Sequence, residues 1–402
     1  MRRVALIALA HGVTSTTVDL SQDWAVAIDA NAKSTLDVVV EEDILAYSLV
    51  HGGKIIAEYY RDGRDASDTA AIWSVTKSWT SLLIGTLVKD GRLARQTTLR
   101  EVFVDLDWSA IEDGDAKKTI TIEDLLQMES GYTEDGGYLG HVFGGLEGAL
   151  DFGKYDESET GSFHYVNHHI LSYVILDLTG QTPLEYASET VFPALGIDPD
   201  EMSWTRRSDG VEHTSFGLYQ TPRQMLKLGQ LMLQGGDDLV DAAWISSTFT
   251  DAPGDSGSEG GYGYRWWLPP PSLTGGATCW LALGADGQIV AAFPDLDAVI
   301  AIQSDEEKED SSYAILTLVP DVIAGMTSTP KPTPGPTATP GNPTAAPVLA
   351  PTPRPAPEST PRPTPSEASD PTLAPSATTD NAARASVASI GIVAFVVVAA
   401  GL

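Results

Sequence analysis

Apolar residues recur with two different periods along the first three quarters of the chain. Two apolar-rich runs, Ile44–Val50 and Lys54–Tyr60, flank a Gly-Gly pair, which predicts a β-hairpin. Near the other end, Gln288–Phe293 and Ala298–Gln303 are apolar runs separated by a short turn that begins with proline, which predicts a second strand pair. Strands are therefore expected at both ends of one domain.

Helical spacing dominates between these strands. Residues 74–89 place Trp79, Leu82, Leu83 and Leu87 on one face and have Gly91 just past the end, which predicts an amphipathic helix. Three further helices are predicted: one after a capping box at residues 121–124 with a stop at Gly131, one over 167–178 and one over 222–233. Strands at both ends with helices between them predict an α+β domain, an antiparallel sheet flanked by helices plus a helical lobe.

Composition divides the chain into four parts. Residues 1–34 begin with Met-Arg-Arg and a short apolar run, which predicts a signal peptide and an N-terminal lead-in; a disordered N-terminus and an imperfect start of the reading frame stay open. Residues 35–326 form the predicted globular domain. Residues 327–380 are rich in Pro, Thr and Ser, which is typical of a disordered, extended stalk. Residues 381–402 end in an apolar tail, for which a GPI-attachment signal, a short membrane helix and an inert tail all stay open.

Charge narrows the classes of partner. The chain has 24 basic and 55 acidic residues and a net charge of −31. The four basic and four acidic residues from Thr327 onward cancel, so the globular part carries all of that charge. Such a surface disfavours binding to nucleic acid or to anionic lipid headgroups. The single cysteine, Cys279, excludes an intrachain disulfide and every zinc site that needs several cysteines.

The strongest chemical signal is an S-x-x-K motif, Ser74 to Lys77, at the start of the first predicted helix. Residues three apart share a helix face, so the Lys77 amine can reach the Ser74 hydroxyl group. A buried amine can then take the serine proton, and a helix N-terminus leaves backbone N–H groups free to face an oxyanion. Alone, the motif is weak, because Ser and Lys are common on helix surfaces.

Two later segments strengthen it. Tyr165 and Asn167 form a Y-x-N motif, and residues 284–288 are a Gly-framed segment at the start of an apolar run. With these in view, the chain resembles the serine β-lactamase-related hydrolases, which include class C β-lactamases, D-Ala-D-Ala carboxypeptidases, esterases and 6-aminohexanoate-dimer hydrolases. The resemblance covers about residues 35–320 and is carried by four stretches: 74–85, 120–131, 217–223 and 283–288.

The resemblance implies roles for individual residues. Ser74 is the expected acyl-accepting nucleophile, Lys77 shares its proton, and Tyr165 acts as partner base and as acid to the leaving group. Asn167 is expected to hydrogen-bond Lys77 or a substrate amide. The backbone N–H groups of Ser74 and Gln288 are expected to form the oxyanion hole. No metal or cofactor is implied.

One segment departs from the family pattern. The family often has Lys or His where Ala285 stands and Thr or Ser where Asp286 stands, and the cation commonly holds a substrate carboxylate. If it points inward, Asp286 would repel such a carboxylate; if it faces solvent, Gly287 and Gln288 keep the backbone of the oxyanion hole regardless. The expected substrate is therefore a small neutral or cationic ester or amide. A true β-lactamase or carboxypeptidase, and a catalytically inactive binding module of the same fold, remain alternatives, and an extracellular or cell-surface location is expected.

Overall fold

The computed structural model describes residues 15–134, 145–151, 153–164, 169–250, 260–305 and 310–328. Several sequence predictions lie outside these residues: the apolar run near the N-terminus, Tyr165 and Asn167, the Pro-rich stretch and the apolar tail. The described residues belong to one compact unit of the chain, 1–329.

An eight-stranded sheet forms the centre of this unit. The strands are β1 Ala25–Val26, β2 Ile44–His51, β3 Lys54–Tyr60, β9 Gly261–Gly263, β10 Trp266–Leu268, β11 Trp280–Gly284, β12 Gln288–Phe293 and β13 Ala298–Ser304. Their order in the sheet is β1-β3-β2-β13-β12-β11-β10-β9. Every neighbouring pair is antiparallel except β1 with β3, so the sheet is mixed rather than antiparallel throughout. Both predicted strand pairs are confirmed.

Helices cover both faces of the sheet. One face packs against Pro222–Leu233, and the other packs against Ala30–Asp37 and Asp310–Ser328. Every residue of β12 and β13 is buried, because helices cover both faces of these strands. Burial on both faces favours apolar side chains on both. This double cover explains why these two strands read as continuous apolar runs rather than as alternating ones.

Along the chain, the helical lobe and two small sheets come after β3 and before β9. The small sheets pair β4 (Ala70–Ala71) and β7 (Ser203–Trp204) with β8 (Leu218–Gln220), and β5 (Ser130–Glu134) with β6 (Lys154–Thr160). In chain order the helices are α1 Ala30–Asp37, α2 Thr76–Lys89, α3 Leu99–Val102, α4 Gly114–Lys117, α5 Ile122–Gln127, α6 Leu146–Asp151, α7 Ile170–Thr179, α8 Pro183–Ala194, α9 Pro222–Leu233, α10 Ala242–Thr250 and α11 Asp310–Ser328.

Helix α2 differs from its prediction in one respect. The sequence favours one apolar face, yet every residue from Thr76 to Leu87 is buried. Hydroxyl groups on the second face are satisfied inside the protein: Ser78 donates to the Arg265 carbonyl oxygen at 2.7 Å, and Thr80 donates to the Thr214 carbonyl oxygen at 2.9 Å. The helix that carries the S-x-x-K motif is therefore a central, rigid element.

The helix caps follow the sequence with one correction. The predicted capping box is present, since Thr121 and Asp124 exchange hydrogen bonds at the start of α5. Helix α5 ends at Met128, which has a left-handed conformation with φ 61°, rather than at the predicted Gly131. Helix α9 begins and ends at the predicted residues.

An N-terminal strap, residues 15–24, lies across helix α9. Gln234 accepts from the Val18 N–H at 2.9 Å and donates to its carbonyl oxygen at 3.2 Å, and Gln230 donates to the Thr16 carbonyl oxygen at 3.1 Å. Lys227 donates to the carbonyl oxygens of Leu20 at 2.7 Å and Gln22 at 3.0 Å. The strap is thus held mainly through its backbone atoms.

Within the described ranges, no helix combines the length and the apolar character that crossing a membrane requires.

Candidate active site

Ser74 lies where strand β4 meets helix α2. The Ile72 N–H donates to the Leu218 carbonyl oxygen at 3.0 Å, and a 3-10 turn over Trp73–Val75 then leads into the helix. Trp73 has a positive φ of 44°, which is unfavourable for a bulky residue. Backbone strain of this kind persists only where the surrounding structure imposes it, as it often does at functional sites. The strained turn presents Ser74 half-buried, just before the first turn of α2.

Lys77 contacts Ser74 as the motif predicts. The Lys77 Nζ atom lies 2.8 Å from Ser74 Oγ and 3.1 Å from the carbonyl oxygen of Ser215. Lys77 is only 5% exposed, so these contacts are largely shielded from water. A shielded amine in hydrogen-bond contact with a hydroxyl group is placed to exchange a proton with it.

Strand β11 reaches Ser74 from the opposite side. A Cβ atom added to Gly284 would lie 2.6 Å from the Ile72 carbonyl oxygen and 3.1 Å from the Ser74 backbone nitrogen. Residues with a side chain would therefore push the strand away from the nucleophile turn. The end of β11 and the turn that follows it, residues 284–288, are thereby held beside the Ser74 N–H.

This β11–β12 turn contains three of the predicted site residues. Asp286 has φ 57° and Gly287 has φ 73°, so two successive residues are left-handed. Ala285 is exposed, Asp286 is half-buried, and Gln288 is buried at the start of β12. The Gln288 backbone N–H, predicted to face an oxyanion, instead donates to the Ala285 carbonyl oxygen within the turn.

Tyr165 and Asn167 lie outside the described residues, but both flanks of that segment are described. Phe163 packs edge-on against Tyr262 and Trp267 of the β9–β10 hairpin, with ring centroids 5.3 and 5.9 Å apart. On the other side, His169 packs against His213 at 5.7 Å. His213 precedes by two residues Ser215, whose carbonyl oxygen contacts Lys77.

One carboxyl group near this flank has an altered acidity. The Glu129 carbonyl oxygen accepts from the Gly161 N–H at 2.9 Å. Burial raises the pKa of the Glu129 carboxyl to about 6, and the negative charges of Asp124 and Glu123 add to the effect.

Within the part of the chain that the structure describes, His, Cys, Asp and Glu form no group of three that could hold a metal ion.

Sequence reasoning missed three features of the site. The Ser215 carbonyl oxygen gives no sequence signal, because any residue has one. Gly284 was visible only as part of a Gly-framed segment, and its close approach to Ser74 requires the folded sheet. The strain at Trp73 has no sequence signal either, because tryptophan is not typical of left-handed backbone.

Comparison with known proteins agrees with this geometry. Residues 44–319 match the Beta-lactamase family model, so the chain belongs to the β-lactamase family, and the predicted resemblance is confirmed. It is a serine hydrolase of that family, of the esterase and amidase type.

Individual relatives share less than a quarter of their residues with this chain. A 6-aminohexanoate-dimer hydrolase of Paenarthrobacter ureafaciens is 24% identical over 288 residues, which cover 63% of this chain and 73% of the relative. The D-amino acid amidase of Ochrobactrum anthropi is similar in structure, with a TM-score of 0.56 at 16% identity over 74% of this chain and 99% of the amidase. A penicillin-binding protein homologue of Pyrococcus abyssi gives 0.58 at 18% identity, over 73% and 77% of the two chains. The structural likenesses show a shared fold.

Proposed function

We propose that the protein hydrolyses small neutral or cationic esters or amides through an acyl-enzyme on Ser74. The observation that carries the proposal is the 2.8 Å contact between the buried Lys77 Nζ and the half-buried Ser74 Oγ. The names of two relatives, a 6-aminohexanoate-dimer hydrolase and a D-amino acid amidase, indicate amide substrates for those proteins and support the same bond class here.

The proposed reaction has two steps. In the first, Ser74 Oγ attacks the substrate carbonyl carbon while its proton passes to the neutral amine of Lys77 or, through it, to the phenolate of Tyr165. Attack forms the bond between Ser74 Oγ and the acyl carbon and gives a tetrahedral oxyanion. The proton then moves to the leaving alcohol or amine, which departs as its own bond to the acyl carbon breaks and leaves the acyl-enzyme. In the second, a water molecule attacks the acyl carbon, and Ser74 regains its proton as the free acid leaves.

The oxyanion hole needs two backbone donors, of which the Ser74 N–H is the first. The predicted second donor, the Gln288 N–H, has a partner within its own turn. We therefore assign the second donor to the Ala285 N–H, because Ala285 directly follows the residue that packs against Ser74. Gly287 is a left-handed residue of the same turn, and its part in the oxyanion hole stays a prediction.

The proposed substrate class rests on charge. Ala285 supplies no cation at the position where the family often has Lys or His, and Asp286 places a carboxylate in the same turn. The globular part also carries the whole net charge of −31. Substrates that bear a carboxylate are therefore expected to react more slowly than neutral or cationic ones of the same size.

The test combines an adduct with a rate comparison. Intact-mass spectrometry after exposure to a fluorophosphonate should show one adduct on Ser74, absent in Ser74→Ala. The matched control is Ser78→Ala, one turn further along α2, whose hydroxyl group donates to Arg265. We also expect p-nitrophenyl acetate to be hydrolysed faster than nitrocefin. Faster nitrocefin hydrolysis would favour a true β-lactamase, and a wild type that no acylating probe labels would favour an inactive binding module.

A further inference from the structure

The β11–β12 turn has a conformation that needs support. Asp286 is a non-glycine residue in the left-handed region, and Gly287 beside it is left-handed too. Isolated, such a turn would relax toward other conformations. Its position decides where the backbone of residues 284–287 lies relative to Ser74, so whatever holds the turn also sets the geometry of the oxyanion hole.

The Gln288 side chain is placed to hold it. This side chain is 1% exposed, and its Nε2 atom donates to the Ser304 carbonyl oxygen at the end of β13 and, at 3.4 Å, to the Asp286 carbonyl oxygen. The backbone N–H of the same residue donates to the Ala285 carbonyl oxygen. Gln288 therefore binds two successive carbonyl groups of the turn and ties them to the neighbouring structure.

The turn also rests on packed neighbours. A Cβ atom on Gly287 would lie 2.4 Å from Ser312 Oγ, in the first turn of α11, and 3.5 Å from the Cβ atom of Ser304. Both serines are buried. Helix α11 and the end of β13 thus lie directly against the turn. The Gln288 amide is a side-chain link between the turn and the end of β13.

An amide here is not the simplest core residue. Its Oε1 atom is buried and makes no hydrogen bond, which costs about 1–3 kcal/mol for a polar group of this kind. An apolar side chain of similar size would avoid that cost. The amide is therefore explained by its Nε2 atom, which donates to the turn.

We propose that Gln288 is a positioning residue of the reaction. Its side chain fixes the β11–β12 turn in the position from which a backbone N–H of that turn donates to an oxyanion on a substrate bound to Ser74. The inference rests on the proposed function. It assigns to Gln288 a role through its side chain rather than through its backbone N–H.

The first test removes the amide. Gln288→Leu should lower kcat for p-nitrophenyl acetate about tenfold to a hundredfold with little change in KM, because an oxyanion donor acts in the transition state. The matched control is Gln230→Leu, which is equally buried and removes an amide that donates to the Thr16 carbonyl oxygen instead. Gln230→Leu should keep the wild-type kcat even where it lowers the melting temperature.

The second test works within a single folded variant. In Gln288→Glu, the protonated carboxyl group can still donate one hydrogen bond to the Ser304 carbonyl oxygen, whereas the ionised group has no donor and faces carbonyl oxygens. The kcat of this variant relative to wild type should therefore be highest at low pH and fall as pH rises. A merely structural loss would give a ratio that does not depend on pH.

The outcomes separate the two proposals. Fluorophosphonate should label Gln288→Leu more slowly than wild type but to the same final extent, since a mispositioned site still reacts. Equal losses of kcat in Gln288→Leu and Gln230→Leu, or a flat ratio for Gln288→Glu, would overturn the positioning role while leaving Ser74 as nucleophile. A wild type that is never labelled would overturn the proposed function and this inference together.

Discussion

At the scale of single residues, the site depends on backbone atoms as much as on side chains. Lys77 binds the Ser215 carbonyl oxygen as well as Ser74, and Gly284 allows β11 to approach the Ser74 nitrogen. Gly284 tolerates no added methyl group, since the atom nearest to such a group is the Ile72 carbonyl oxygen at 2.6 Å, a backbone atom of another segment. Substitutions near this contact are therefore expected to act on the reaction through position rather than through chemistry.

Asp286 provides a test of substrate charge. Asp286→Asn should raise kcat/KM for mono-p-nitrophenyl succinate relative to p-nitrophenyl acetate about fivefold, since removing a partly screened repulsion near the site is worth about 1 kcal/mol. The matched control is Asp295→Asn, in the turn at the other end of β12, which should leave the ratio unchanged. An unchanged ratio for Asp286→Asn would mean that its carboxylate does not act on substrates.

At the scale of elements, the N-terminal strap shows how polar side chains can organise a fold. Its anchors lie at positions 227, 230 and 234 along or just after α9, a spacing that keeps them on one helix face. Burial lowers the pKa of the Lys227 amine, partly offset by the negative charges of Asp23 and Asp19. The amine thus gives up solvation to bind the backbone of the strap.

Truncation should expose this contribution. Removing residues 1–24 deletes the strap and leaves the polar groups of Lys227, Gln230 and Gln234 without it. At about 1 kcal/mol for each of these five lost hydrogen bonds, the free energy of unfolding should fall by roughly 5 kcal/mol. Thermal melting should report a fall of about 10 °C.

The control for this truncation is removal of residues 1–14, which leaves every described strap contact in place and should melt like the full chain. If both truncations melt alike, the strap contributes no stability.

Whether the sequence predicts an element depends on how far apart along the chain its contacting residues lie. The hairpin β2–β3, the pair β12–β13 and helix α9 follow from local periodicity and caps, and all were predicted. The strap was not, because its anchors bind a backbone about 200 residues away and leave no local pattern. The parallel edge pair β1–β3 and the burial of both faces of α2 were missed for the same reason: they depend on neighbours that are distant in sequence.

The site divides in the same way. The contact between Ser74 and Lys77 is local and was predicted from three-residue spacing. The turn at residues 284–288 was predicted as part of the site, whereas the bond from the Gln288 N–H to Ala285 depends on turn geometry that a motif does not specify. Tyr165 and Asn167 lie outside the described residues, so their roles stay predictions.

At the scale of the whole molecule, charge and composition suggest how the domain is displayed. The acidic domain is followed by a Pro-rich segment of net charge zero and an apolar tail. We propose that the protein enters the secretory pathway and is attached to a cell surface through a GPI anchor. A phosphatidylinositol-specific phospholipase C should then release it from membranes with its esterase activity intact. Retention on the membrane would contradict the GPI anchor and favour a membrane-inserted tail.

The approach of Gly284 to Ser74 has a consequence for biosynthesis. The nucleophile and its lysine leave the ribosome early, but the strand beside them follows about 200 residues later, and β13 must insert between β2 and β12 before the central sheet is continuous. Such distant pairing is slow compared with helix formation. Under the proposed function, a nascent chain that has not yet added β11 to β13 carries Ser74 and Lys77 without the second oxyanion donor. We therefore expect hydrolysis to begin only once the last strands have joined the sheet.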